Sequence, residues 1–138
     1  MYGVVVIKRS LGVEVNIKSV NNGDQFFLPD NQIIRGQRIK VYGIEVFSAS
    51  QLSKTPGALT MQTAAAVLGL MVNFVDAGNS NRVYQIPYFT FISSENGGFI
   101  REFEPFEIVL TKSFVQVVDG AILTAGSGVY FHLIYSKV

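Results

Sequence analysis

The sequence predicts an all-β fold, an antiparallel β-sandwich in a single domain over residues 1–138. Three observations carry this. Apolar and polar residues alternate at period two in short runs, as where Val13, Val15 and Ile17 interleave with Glu14, Asn16 and Lys18. Clusters of Gly, Asn, Asp and Pro separate the runs at the spacing of a sandwich or barrel. No segment between them has convincing helical spacing. A parallel sheet would need crossovers of about a dozen residues, usually helical, so the strands should pair antiparallel.

The first strand ends at Asn21-Asn22-Gly23-Asp24, a turn, and a short strand from Gln25 to Leu28 stops at Pro29-Asp30. A long strand is expected from Gln37 to Ser48. Its apolar parity changes between Ile39/Val41 and Ile44/Val46, which places a bulge at Tyr42-Gly43, because one extra residue moves every later side chain to the other face. Ala49 to Thr63 reads as a long loop, with one helical turn over Thr60 to Ala66.

Val67 to Val75 is apolar on both parities, the pattern of a strand covered on both faces. A turn over Asp76 to Asn81 leads to a strand from Arg82 to Ile92, and Pro87 inside it marks an edge or a bulge. Asn96-Gly97-Gly98 is expected to make a hairpin into a strand from Phe99 to Phe103. Strands are then expected from Phe106 to Leu110 and from Phe114 to Val118. Asp119-Gly120 is read as a two-residue hairpin turn into Ala121 to Thr124, and the last strand as Val129 to Tyr135.

With eight to ten such strands, two packed sheets with Greek-key connections are the economical closure. A jelly roll is favoured over an immunoglobulin-like sandwich, whose core pin usually involves Cys or Trp; this chain has neither. The ensemble resembles the single jelly-roll proteins that build or decorate virus particles, including bacteriophage vertex and accessory capsid proteins. The features that carry the resemblance are strands running into Gly-Val-Tyr-Phe-His-Leu-Ile-Tyr-Ser-Lys-Val at the end and the long irregular connection Ala49 to Thr63. It implies a capsid, vertex or decoration role and a place in the virion, and carries over no site residue.

Composition narrows the function classes. Charged residues make up only 15% of the chain, against about 25% in an average domain, so little is available to cover the outside. Apolar patches are therefore expected on the surface, and such patches usually mark contacts with other chains. A net charge of +1 supplies no long-range field for nucleic acid. With no Cys, disulfides and thiolate chemistry are out. The N-terminus is apolar before it is basic, the reverse of a secretory leader, and the longest apolar run, Ala64 to Val72, is too short to span a bilayer. A soluble protein without a cleaved leader is expected.

Catalytic and metal sets are thin. His132 is the only histidine and sits mid-strand on the parity of Tyr130 and Ile134, with no nucleophile or carboxylate beside it in sequence. Glu102 and Glu104 share a strand face and read as a solvated pair rather than glycosidase carboxylates. Asp76, Asn79 and Asn81 are turn formers more than calcium ligands, because the loop lacks the spacing and distal Glu of a calcium loop. Arg35, Arg38 and Lys40 form a basic group too narrow for a nucleic-acid footprint. No catalytic residue, metal, cofactor, small-molecule substrate or specific nucleic acid is assigned.

The remaining expectation is assembly. Tyr84, Tyr88, Phe89 and Phe91, with Leu52, Leu59 and Met61, are the interface candidates. The two-sided apolar runs Val67 to Val75 and Tyr88 to Ile92 leave more apolar surface than one core needs, and copies of the same chain are the simplest cover. Other virion proteins are further candidate partners. The Met1 to Ser10 arm and Ala49 to Thr63 are the segments expected to reach neighbours. The competing expectation is a carbohydrate- or protein-binding module using the Tyr84 to Phe91 strand or the loops at one end of the sandwich.

Overall fold

The computed structural model describes residues 7–29, 38–46, 57, 59–63, 65–78, 81–87 and 99–138; for 46, 81–87 and 99–101 it describes the backbone alone. Eight strands lie among them: β1 (Arg9–Asn16), β2 (Gln25–Phe27), β3 (Ile39–Val46), β4 (Leu70–Val75), β5 (Asn81–Pro87), β6 (Phe99–Glu107), β7 (Phe114–Val117) and β8 (Gly128–Lys137). They form two four-stranded antiparallel sheets, ordered β1-β8-β3-β6 and β2-β7-β4-β5. Among consecutive strands only β4 and β5 pair with each other; every other connection crosses between sheets. The all-β sandwich reading therefore holds.

Period two sets the layers. Leu11, Val13 and Val15 of β1 face inward, as do Val129, Phe131, Leu133 and Tyr135 of β8, each buried. Val72 and Phe74 of β4 and Val115 and Val117 of β7 meet them from the other sheet. Phe74 spans the layers, its ring centroid 6.4 Å from Phe131 and 6.5 Å from Phe103. Rings of this size supply much of the burial free energy of a core. The register of β3 shifts between Val41 and Gly43 against both its neighbours, so Ile39, Val41 and Ile44 all reach the core. That is the bulge expected at Tyr42-Gly43.

Several element readings need correction. The helical turn expected over Thr60 to Ala66 lies instead at Ala66–Gly69, a single 3₁₀ turn, while Thr60 to Gln62 run beside Gly128. The strand expected from Val67 consequently begins at Leu70. Asp119-Gly120 is not a hairpin turn: the Asp119 side chain accepts from the Ala121 N–H and caps a 3₁₀ turn over Gly120–Ile122, where a strand was expected. Side-chain capping competes with the turn that the same two residues favour in isolation. Phe99 to Phe103 and Phe106-Glu107 belong to one strand, β6, after which Ile108 makes a single bridge to Asp76 and a 3₁₀ turn follows over Leu110–Lys112. The hairpin expected at Asn96-Gly97-Gly98 lies outside the described residues, and β5 and β6, on either side of it, belong to different sheets. Pro87 ends β5, which is the edge of its sheet among the described residues.

A buried glutamine ties the β3–β4 connection to the loop before β8. Gln62, 2% exposed, donates from Nε2 to the carbonyls of Thr124 and Ser127 and accepts from the Thr124 N–H. Ser113 does the same for the segment after β6: its Oγ donates to the Val109 carbonyl and accepts from the Val75 N–H. Buried polar side chains carry such full sets because an unmet group in the interior costs more than a typical bond returns.

Candidate interaction surface

The outer face of the first sheet is polar, and its centre is a hydrogen-bonded chain that sequence proximity does not reveal. β1 lies against β8 in a register that pairs Gly12 with His132 and Ser10 with Ile134. Ser10 Oγ lies 2.8 Å from His132 Nδ1, and the Tyr130 hydroxyl lies 2.7 Å from Nε2. Which ring nitrogen donates and which accepts depends on the tautomer, and each hydroxyl can serve in either role. Burial first, and the nearby Glu14 carboxylate second, push the Tyr130 phenol above its ordinary pKa, so it stays protonated.

Gly12 makes room for this arrangement. A Cβ there would stand 2.4 Å from the Tyr130 hydroxyl. The ring thus lies over β1 where a side chain would otherwise be. Glu14, two residues on, meets Gly57 of the β3–β4 connection, where a Cβ would overlap the carboxylate. Lys8 Nζ sits 4.8 Å from the centre of the Tyr42 ring, and Tyr42 shares a hydrogen bond with Ser136.

A nucleophile–base pair has a hydroxyl on one imidazole nitrogen and an orienting carboxylate on the other. Here Ser10 is the hydroxyl that sequence spacing missed, and the tyrosine hydroxyl stands in the carboxylate's place. Glu102 and Glu104 are exposed on β6. Asp76 Oδ1 accepts from the Gly78 N–H, as its turn reading requires; Asn79 lies outside the described residues, and Asn81 is described by its backbone. No group of three metal-ligating side chains occurs among the described residues. Arg38 donates to both carboxylate oxygens of Glu107 at 2.5 and 2.8 Å, lowering the Glu107 pKa, chiefly through the hydrogen bonds, and raising its own. Lys40 is exposed and Arg35 lies outside the described residues.

The interface candidates divide. Tyr84 lies on the edge strand β5, placed by its backbone; Leu52, Tyr88, Phe89 and Phe91 lie outside the described residues. Met61 is only 7% exposed, buried in the chain's own fold beside Gly128, and Leu59 is half-buried against the same glycine. Most of the apolar surplus expected from Val67 to Val75 is likewise covered by this chain: Val67, Leu70, Val72, Phe74 and Val75 are buried, and Met71 partly. The segment after β6 covers the end of β4, with the Val109 N–H donating to the Val75 carbonyl.

One residue of the Val67 to Val75 run, Leu68, is exposed, and it has exposed apolar neighbours from the segment after β7. Leu68, Val118 and Ile122 are 55%, 42% and 44% exposed. One residue gathers them: the Gly69 carbonyl accepts from the Val118 and Asp119 N–H groups, and a Cβ on Gly69 would stand 3.1 Å from the Ile122 side chain. They form an apolar rim at the end of the sandwich where β7 runs out and β4 begins. Phe27 is a second exposed ring on β2, 54% exposed and edge-on to Phe114 with centroids 5.5 Å apart. The rim was missed because Val118 and Ile122 read as strand residues with one buried face.

Among the described residues no helix is long and apolar enough to cross a membrane. Compared with protein-family models, curated proteins and solved structures, the chain matches none.

Proposed function

We propose that the protein is a non-enzymatic structural subunit that assembles with copies of itself, most specifically in a bacteriophage shell as a capsid, vertex or decoration protein. The observation that carries self-assembly is the rim of Leu68, Val118 and Ile122, exposed together around Gly69 at one end of the sandwich. A clustered apolar surface of this kind is the usual mark of an interaction site. The strand order supports the jelly-roll part of the reading: eight strands in orders 1-8-3-6 and 2-7-4-5, with one within-sheet hairpin, follow the arrangement of two interleaved Greek keys. That architecture is common among viral capsid and lectin domains, and the apolar rim favours the former. The carbohydrate alternative rests on Tyr84 to Phe91, whose side chains lie outside the described residues, and no observation favours it.

Sedimentation at tens of micromolar tests the reading. The protein should sediment well above its 15.2 kDa chain mass, and the Leu68→Asp/Ile122→Asp double variant should sediment lighter with an unchanged far-UV spectrum. A wild-type protein that sediments as a clean monomer would overturn it.

A further inference from the structure

β1 and β2 are edge strands of their respective sheets among the described residues, each with one hydrogen-bonded neighbour, β8 and β7. They lie on the same side of the sandwich. A groove of about 350 Å³ opens between them, walled by Glu14, Val15 and Asn16 on one side and Phe26, Phe27 and Pro29 on the other. Three features make it receptive to an extended chain. Edge strands carry unpaired main-chain groups along one side. Phe27 offers a largely exposed ring. Asn16, on the groove wall, has a side-chain oxygen with no hydrogen-bond partner among the described residues, and a turn of that side chain would present the oxygen to an incoming main-chain N–H.

The chain also carries a segment that needs such a place. Val4-Val5-Val6-Ile7 is a β-branched run, and Ile7, where the described chain begins, is 66% exposed. Lys8 and Arg9 follow it, and the groove wall carries one opposite charge for them, Glu14, beside one like charge, Lys18. Folding back along β1 does not bring the run to the groove of its own chain. If it folded straight back at Ile7, Val5 would reach no further than the level of Arg9, since both are two residues from the fold. The nearest wall residue, Glu14, stands five residues beyond Arg9, about 16 Å along the strand.

Resting on the self-assembly reading above, we propose that the Val4–Ile7 segment of one copy enters the β1/β2 groove of another, adding a strand against Phe27. This mode takes its affinity from main-chain hydrogen bonds and its specificity from side-chain pockets. The contact is heterologous, arm to groove, so it closes either as a reciprocal pair or around a ring.

Two full-length variants test it. Val5→Asp spoils the arm, and Phe27→Asp spoils the groove; Phe27 is largely exposed, and thermal unfolding of each variant checks that the fold survives. Each variant alone should sediment at least twofold lighter than the wild-type assembly. An equimolar mixture should regain association, because one variant keeps an intact groove and the other an intact arm. Wild-type assembly with no effect of Val5→Asp, or a mixture that stays dissociated, would overturn the arm-and-groove contact while leaving self-assembly standing. A wild-type monomer would overturn both. In a Val5→Cys/Phe27→Cys variant of this cysteine-free chain, oxidation should give covalent dimers or larger species; an exclusively intrachain disulfide would also overturn it.

Discussion

The outer face of the first sheet and the rim at the sandwich end are both surface, yet they solve opposite problems. On the sheet face, polar side chains find partners within the chain: Ser10 and Tyr130 on His132, Tyr42 on Ser136, Arg38 on Glu107. At the rim, Leu68, Val118 and Ile122 are exposed without the chain's own cover. Polar groups on a surface can settle with neighbours or with water, but an apolar group gains only by leaving water. The difference teaches that a low charge content does not spread apolar exposure evenly. Among the described residues it gathers at the rim, at Phe27 on an edge strand, and at Ile7 and Val138 at the two ends.

If the chain's own polar bonds hold its loops, breaking a buried set should cost far more than breaking an exposed one. Gln62→Leu removes one side chain and strands the Thr124 N–H, while the Thr124 and Ser127 carbonyls each keep one backbone donor, the Ser127 and Ile17 N–H groups. We expect a loss of about 2 kcal/mol in urea unfolding, since a buried group left unmet costs about 1–3 kcal/mol. A loss under 1 kcal/mol would show that water replaces the glutamine and that this region is not sealed.

Tyr130→Phe tests the half-buried chain on the sheet face. It deletes the hydroxyl on His132 Nε2 and keeps the ring over Gly12. About 1 kcal/mol should be lost, the usual net worth of such a bond. Because His132 is the only histidine, its nitrogen NMR signals report directly, and the Nε2 signal should move while the association state stays unchanged. Dissociation of the assembly by Tyr130→Phe would mean that this face, and not the rim, carries the contact.

The smallest effect belongs to the exposed pair. Arg38 holds the Glu107 carboxyl below its ordinary value. A carboxyl whose pKa is depressed by folding stabilises the protein above its unfolded value, about 4.3 for Glu, and that stabilisation is lost as pH falls through the folded value. The Tm difference between wild type and Glu107→Gln should therefore be slight at pH 7, shrink in high salt and vanish in acid. A difference that grows on acidification would reverse the assigned sign.

Much of the sandwich was legible because period two records burial directly. Val13, Val15 and Ile17 alternate in sequence and are all buried, and the parity break at Tyr42-Gly43 coincides with the register shift of β3. Turn chemistry was less legible. Asp119-Gly120 suits a hairpin locally, but the Asp119 side chain accepts from Ala121 and the Gly120 N–H donates to Asn22 Oδ1. A Cβ on Gly120 would strike the Val20 carbonyl. Contacts with the β1–β2 loop thus decide that turn, and the residues beside it do not reveal them. The Val67 to Val75 run was read as surplus needing a partner; most of it is buried by the chain's own fold, with the segment after β6 bonded to its end, and Leu68 alone joins the exposed rim.

By itself, the sequence determined the strand content, the inward faces of β1 and β8 and the bulge in β3, because each is written within a few consecutive residues as an alternation or its break. Only the tertiary structure decided that Ser10 meets His132 across 122 positions, that Gly12 is space for a tyrosine, and that Leu68 and Ile122 share a rim. The physical reason is the route of the chain between sheets. Connections that cross from one sheet to the other bring distant segments side by side, and local alternation tells which way a side chain faces but not which strand lies next to it.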